Sequence, residues 1–261
     1  MRARIFQVDA FAARRFTGNP AAVIPMREFP GEALMQAVAG ESNLAETAFI
    51  VSEGADFRIR WFTPTHEVPL CGHATLASAA VVMERLEPGR ESVTFQSASG
   101  PLVVRRGPRS YAMDFPARRA TAVPAPGGLS EALGVCPVEV LTDSFNYLAR
   151  LESANTVRGV APDFGAIAAL DRNGVIITAE GDGGYDFISR YFAPAKGVPE
   201  DPVTGSAHCA LVPYWAPRLG KTEFRAFQAS QRGGEISCRD LGARVGLEGT
   251  CVFYLEGEVE L

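Results

Sequence analysis

Arg60-Trp61-Phe62-Thr63-Pro64 returns as Arg190-Tyr191-Phe192-Ala193-Pro194, a shift from position 60 to position 190 in a chain of 261 residues. The offset is about half the chain and suits duplication of a unit of roughly 130 residues. The surroundings repeat as well. Each copy is followed by a short irregular stretch and then by a Gly-led run of small residues, Gly72-His73-Ala74-Thr75 in the first and Gly205-Ser206-Ala207-His208 in the second.

The segment from His73 to Leu86 is small or apolar on almost every side, the pattern of a helix buried all round rather than on one face. Strands must then wrap it. The second copy is expected to be shorter, from Ser206 to about Val212, because Pro213 and Pro217 would kink or end it. Strand patterns fill most of the remaining chain: ARIFQVDAF, AAVIP, ETAFIV, FRIRWF, ESVTFQ, LVVRR, SYAMDF, NYLARL, GVIITA, DFISRYF, EFRAF and TCVFYLEG. EALMQAVA and DFGAIAALD carry helical spacing, and Asn173-Gly174 reads as a turn into a strand. The boundary between the halves is placed in the Pro- and Ala-rich stretch 117–128, giving residues 1–117 and 118–261, with the last strand, 250–256, a candidate to return to the first half.

Composition narrows the partners. Twenty-five basic against thirty acidic side chains give a net charge of −5, and no Lys/Arg-rich run exists to neutralise a phosphate backbone, so nucleic acid is not expected. The opening residues MRARIFQVDAF alternate as a strand does and lack the apolar run of a signal peptide or membrane span; a cytoplasmic location without membrane contact is the expectation. The five cysteines are odd in number and scattered without a CxxC pair, which predicts reduced thiols.

A helix that starts just after a loop glycine presents unpaired N–H groups and the positive end of its dipole, an arrangement that attracts anions. Two such starts, one per half, could hold a carboxylate substrate, although for either one alone a turn glycine at 72 or an N-cap at Ser206 is the simpler account. Other motifs are incomplete. Leu219-Gly220-Lys221-Thr222 lacks the glycine a phosphate loop needs, because position 215 is Trp, and there is no GxSxG or GxGxxG. Cys71 and His73 flank Gly72, and His208-Cys209 stand in the matching copy, but their spacing fits no zinc signature and no metal cofactor is expected.

Three segments together resemble the phenazine-biosynthesis PhzF-like isomerase family: Gln7-Val8-Asp9-Ala10-Phe11 leading to Phe16-Thr17-Gly18-Asn19-Pro20-Ala21-Ala22-Val23; Glu41-Ser42-Asn43-Leu44-Ala45-Glu46-Thr47-Ala48-Phe49; and the two repeat blocks ending in Pro69-Leu70-Cys71-Gly72-His73-Ala74-Thr75 and Glu200-Asp201-Pro202-Val203-Thr204-Gly205-Ser206-Ala207. The resemblance spans most of the chain. It implies the α+β diaminopimelate-epimerase-like fold, two pseudo-symmetric halves that are each an open antiparallel β-barrel around a central helix, with the active site in the cleft between them. It further implies a homodimer and no cofactor, and the two helix starts make a small carboxylate the expected substrate. By motif match the catalytic glutamate falls on Glu46 and its polar partners on His73, Asp201 and Ser206; Asp9, Asn19, Gly72, Ala74 and Gly205 fall at substrate-binding positions. Two rivals remain: an amino-acid racemase or epimerase using Cys71, whose second thiol is missing near Pro202 and Val203, and a binding protein that has kept the fold without the chemistry.

Overall fold

The computed structural model describes residues 2–261. The chain forms two compact units, Met1–Met113 with Glu248–Leu261, and Asp114–Leu247. The first contains β1 (Arg2–Ala10), β2 (Asn19–Met26), α1 (Glu32–Ser42), β3 (Glu46–Glu53), β4 (Asp56–Phe62), β5 (Glu67–Val68), α2 (Gly72–Val81), β6 (Ser92–Ser97), β7 (Gly100–Arg106) and the start of β8 (Tyr111–Pro116). The second contains β9 (Thr121–Ala122), α3 (Leu129–Leu133), β10 (Glu139–Thr142), β11 (Asn146–Arg150), α4 (Ala154–Gly159), α5 (Phe164–Ala168), β12 (Gly174–Glu180), β13 (Phe187–Phe192), α6 (Gly205–Leu219), β14 (Glu223–Gln228), β15 (Gly234–Asp240) and most of β16 (Arg244–Gly249). The last strand, β17 (Cys251–Glu260), lies in the first unit and pairs antiparallel with β1.

The duplication is visible in the strand pairing. In the first unit β1–β2 is antiparallel, β2–β3 parallel, β3–β4 antiparallel, β4–β6 parallel and β6–β7 antiparallel. In the second, β10–β11, β11–β12, β12–β13, β13–β14 and β14–β15 repeat that order of senses. Each barrel is thus mainly antiparallel, with two parallel pairs. A parallel pair needs a crossover connection, and the helices supply it: α1 and α2 in the first unit, α4–α5 and α6 in the second.

The repeated pentads have a structural role. Arg60 on β4 makes a bidentate pair with Glu67, Nε to Oε1 at 2.7 Å and Nη2 to Oε2 at 2.6 Å. Arg190 on β13 does the same with Glu200, at 2.7 and 3.0 Å, and its Nη1 donates to the Val160 carbonyl at 2.6 Å. Each arginine ties a strand to the segment that leads into a central helix, and fork-to-fork geometry is what arginine does better than lysine. Phe62 and Phe192, the third residues of the pentads, are buried at 1% and 0% exposure.

Residues 73–81 of α2 are all buried, as an apolar surface without a polar stripe requires. The helix packs on β1, β2, β3 and β17. Complete burial of Leu76, Val81 and Val82 is worth roughly 1.5–3 kcal/mol per side chain. Beyond Val81 the backbone loosens into a π-helical turn, Val82–Leu86, so the helix expected to run to Leu86 is regular only to Val81. The expectation for the second helix is corrected more strongly, since α6 runs through both prolines to Leu219. Pro213 has no N–H to offer the Cys209 carbonyl; the backbone N–H of Arg118 bonds to that carbonyl instead, at 2.9 Å. The polar cost of an internal proline is thereby offset.

Candidate active site

Glu46 stands at the first residue of β3 because Asn43, left-handed at φ 48°, ends α1 and turns the chain. Its neighbours come from two further elements. Asn19 opens β2 after Gly18, whose φ of +70° and whose close approach to Ala10, 2.3 Å from carbonyl oxygen to a would-be Cβ, admit no side chain. Asp9, buried at the end of β1, accepts the Phe16 N–H at 3.2 Å and so shapes the loop that delivers Asn19. Cys71 is the N-cap of α2, and His73 sits in its first turn.

Glu46, Asn19 and Cys71 meet around the His73 imidazole. His73 Nε2 lies 3.1 Å from Glu46 Oε2, an ion-pair distance at an angle that does not make a hydrogen bond; neither atom has another hydrogen-bond partner. On the other ring nitrogen, Asn19 Nδ2 approaches Nδ1 to 3.2 Å and Cys71 Sγ approaches it to 3.5 Å. The side chains of His73 and Glu46 are 6% and 17% exposed, so the pair is shielded while the carboxylate keeps an opening. Asn19 suits both charge states of the ring. Its Nδ2–H donates to a neutral Nδ1, and a turn of the amide plane would offer Oδ1 to an imidazolium.

Burial opposes a charged imidazole here, but the adjoining Cys71 sulfur and Glu46 carboxylate outweigh it and hold the His73 pKa well above its ordinary value. Burial raises the Cys71 thiol, with Glu46 adding to the rise and His73 opposing it. A thiol that stays protonated lends the ring no charge, so we assign the imidazolium's partner as Glu46. The first-turn amides of Gly72, His73 and Ala74 add the positive end of α2 to the same neighbourhood.

The second unit carries the other residues expected at the site. The Asp201 N–H donates to the Tyr191 carbonyl at 3.1 Å, and its carboxylate accepts from the Thr204 hydroxyl. Gln228, wholly buried, accepts the Thr204 N–H at 2.8 Å and donates to the Asp201 carbonyl at 2.7 Å, holding the entry to α6 in one shape. Gly205 opens α6 and is buried; Ser206, next along, is exposed. Thr204 is the N-cap of α6, the place Cys71 takes in the first unit. Thr204 and Gln228 were not anticipated, though a Thr before a helix-opening Gly is itself a capping signal.

The registers reveal an asymmetry. Ala48 pairs with Trp61 across β3–β4, and Ile176 with Tyr191 across β12–β13. Since Trp61 and Tyr191 are the matched residues of the pentads, the counterpart of Glu46 is Gly174. No side chain fits there: a Cβ would come within 2.4 Å of the Phe192 carbonyl and 3.0 Å of the Tyr191 hydroxyl. That hydroxyl donates to Asn146 Oδ1 at 3.0 Å.

His208 and Cys209 take no part in the first-unit cluster. His208 is fully buried in α6, its Nδ1–H donating to the Thr204 carbonyl at 2.8 Å, and the Cys209 thiol donates to the Gly205 carbonyl at 3.5 Å. All five cysteines are free. Among the described residues no helix is long and apolar enough to cross a membrane.

The duplicated strand-and-helix fold is that of the epimerase class, and its relatives define the chain as an isomerase. The chain belongs to the PhzF-like family: the family model described as phenazine biosynthesis-like protein matches residues 8–257. An uncharacterized isomerase of Pseudomonas aeruginosa is 50% identical over 261 residues, all of both chains. The crystal structure of a PhzF family protein from Enterococcus faecalis matches with a TM-score of 0.97 at 43% identity, covering 100% of each chain. A hydroxyproline epimerase from Agrobacterium vitis, at 10% identity and a TM-score of 0.61 over 99% of this chain and 92% of its own, shares the fold alone.

Proposed function

We propose that this isomerase moves a proton between two carbons of a small unsaturated or carbonyl-containing carboxylic acid, with Glu46 as the group that takes the proton and returns it. The observation that carries the reading is the pairing of Glu46 with His73 in one half while Gly174 stands at the matching position of the other. One carboxylate then serves both steps. Glu46 removes a proton from an activated C–H, the electron pair shifts into the conjugated system towards its oxygen, and the protonated carboxyl, which exchanges part of its protons with solvent, delivers a proton to a different carbon. Atoms and charge balance without an oxidant or a second base.

The developing negative charge needs stabilisation in a site that limits water. A positively charged His73 beside Glu46 and the amides that open α2 are suited to that task, and Asn19 and Cys71 hold the ring. Asp201, Ser206 and the amide of Gly205 are proposed to serve substrate orientation, as the family resemblance implies. Asp9 has a structural use in this reading, through its bond to the loop before Asn19.

The racemase reading has one observation in its favour, the thiol of Cys71 at 3.5 Å from His73. Two-thiol chemistry needs a partner, and the corresponding N-cap of α6 is Thr204. A thiol pushed up by burial is also a poor nucleophile and a poor base at neutral pH.

The deciding experiment incubates the protein in deuterated water with a panel of unsaturated carboxylic acids and amino acids, following deuterium at carbon by NMR. Exchange is expected with an unsaturated acid, and Glu46→Gln should lower its rate by about 10²–10⁴-fold while the fold is kept. Unchanged exchange in that variant refutes the role of Glu46. Exchange confined to the α-carbon of an amino acid and abolished by Cys71→Ser would favour the racemase.

A further inference from the structure

Glu46, Cys71 and His73 each offer one ligand atom, and the three atoms lie within 4.8 Å of one another. They are a carboxylate oxygen, a thiol sulfur and an imidazole nitrogen, a donor set that hard ions such as Mg²⁺ do not select and Zn²⁺ does. Two further observations point to a ligand. His73 is nine-tenths buried with an Nε2 that has no hydrogen-bond partner, and Glu46 Oε2, buried and equally without one, faces it at 3.1 Å. With metal–ligand bonds of about 2.0–2.1 Å, a tetrahedral N–O edge is about 3.3 Å, so these two atoms stand almost at the spacing a bound ion would impose.

We propose that Glu46, Cys71 and His73 form a binding site for a borderline-soft divalent cation, Zn²⁺ by its chemistry, with a fourth position left to water or a small ligand, and that the loaded protein is a silent form of the isomerase. Metal entry displaces the thiol proton and any proton on Nε2 to solvent. The carboxylate and thiolate then balance the double charge of the ion. Binding requires the Cys71 sulfur, which lies 3.5 Å from the other ring nitrogen, to reach a tetrahedral S–N edge of about 3.6 Å from Nε2, with Zn–S of about 2.3 Å. The N-terminal end of α2 supports a thiolate at its N-cap, which lowers the cost of losing that proton. Cys71 and His73 are held two residues apart on a rigid helix start, and Glu46 reaches them from β3. Spacing along the chain concealed this set, because its third member lies far from the Cys-Gly-His run in sequence.

The silent form rests on the reading of Glu46 as the base, since a carboxylate bound to metal cannot accept a proton from carbon. Metal binding itself does not rest on it. The test is made in full-length protein carrying Cys136→Ser, which removes the exposed thiol. Cobalt(II) is titrated and followed by its thiolate charge-transfer absorption, and zinc is then added in competition. One equivalent is expected to bind with a charge-transfer band that Cys71→Ser and Cys71→Ala abolish, and His73→Gln should weaken binding by about tenfold or more. Circular dichroism checks that each variant is folded; where a Cys71 variant is not, His73→Gln carries the decision. Absence of the band, a band that survives loss of the Cys71 thiol, or unchanged affinity in His73→Gln overturns the site. Deuterium exchange that continues at full rate with one zinc bound overturns the silent form.

Discussion

His208 supplies a test of the structure that needs no substrate. The ring is fully buried in α6, donates from Nδ1 to the Thr204 carbonyl and leaves Nε2 without a partner. Burial, only partly opposed by that bond, pushes its pKa down from 6.5 to about 4. In the unfolded chain the same group takes up its proton near 6.5, so between pH 6.5 and 4 the unfolded state binds one proton that the native state refuses. Stability therefore falls as the solution is acidified through this window, by about 1.4 kcal/mol per pH unit at most, reaching about 2 kcal/mol at pH 5 and about 3 kcal/mol at pH 4. The other perturbed histidine does not interfere: the raised pKa of His73 gives a contribution fully present below 6.5 and lost as the pH rises through its folded value. His208→Asn keeps a donor for the Thr204 carbonyl and removes the titration. Urea unfolding of both proteins at pH 7.0, 6.0 and 5.0 isolates the term, because the carboxylates common to both cancel in the difference. The variant is expected to be less stable than the parent at pH 7, from the space the ring vacates, and to close that gap by about 2 kcal/mol at pH 5. A gap that stays constant across the three pH values would mean that the imidazole reaches solvent or titrates normally, and the burial argument would fail.

Two further outcomes follow from the site and the repeat. Asn19→Ala removes a partner that holds the His73 ring, and kcat for the exchange reaction is expected to fall about tenfold, or ~1.4 kcal/mol, with KM little changed and the pH profile displaced; an unaltered profile would reduce Asn19 to a packing residue. Gly174→Ala should cost roughly 1–3 kcal/mol in urea unfolding, since its methyl group would press on the Phe192 carbonyl and the Tyr191 ring, and a neutral effect would undo the claim that no carboxylate can occupy the matching position.

The barrels and their central helices were legible because they are written in local patterns: a run of small and apolar residues after Gly72, alternating strands, and a pentad repeated across half the chain. What stayed hidden depends on contacts between distant segments. The fate of Pro213 could not be read from α6 alone, since the group that takes the freed carbonyl belongs to Arg118, far upstream. The strand senses were hidden for the same reason: the two parallel pairs in each unit follow from where the crossover helices lie, and no alternation pattern encodes them. At the site, the sequence motif pointed to Glu46 and His73 separately, while their 3.1 Å approach is a product of β3 meeting the start of α2. Gln228 carries no motif at all, and only its burial against Asp201 and Thr204 discloses its use.

The two halves preserved different things, and the difference bears on stereochemistry. Both retain the arginine fork, the phenylalanine behind it and a buried helix that begins at a glycine, features that hold a barrel together whatever the reaction. Side chains with chemical reach are unequal: a carboxylate at Glu46 corresponds to Gly174, and a thiol at Cys71 corresponds to the hydroxyl of Thr204. Two opposed bases invert a carbon by taking a proton from one face and supplying another to the opposite face. A lone carboxylate can work from only the face it occupies, so under the proposed mechanism the proton leaves and returns on the same side, and part of it is carried over without exchange with solvent. Retention of some substrate-derived hydrogen in product formed in deuterated water is thus the signature of one base, whereas a two-base site would fill the new C–H bond from solvent alone.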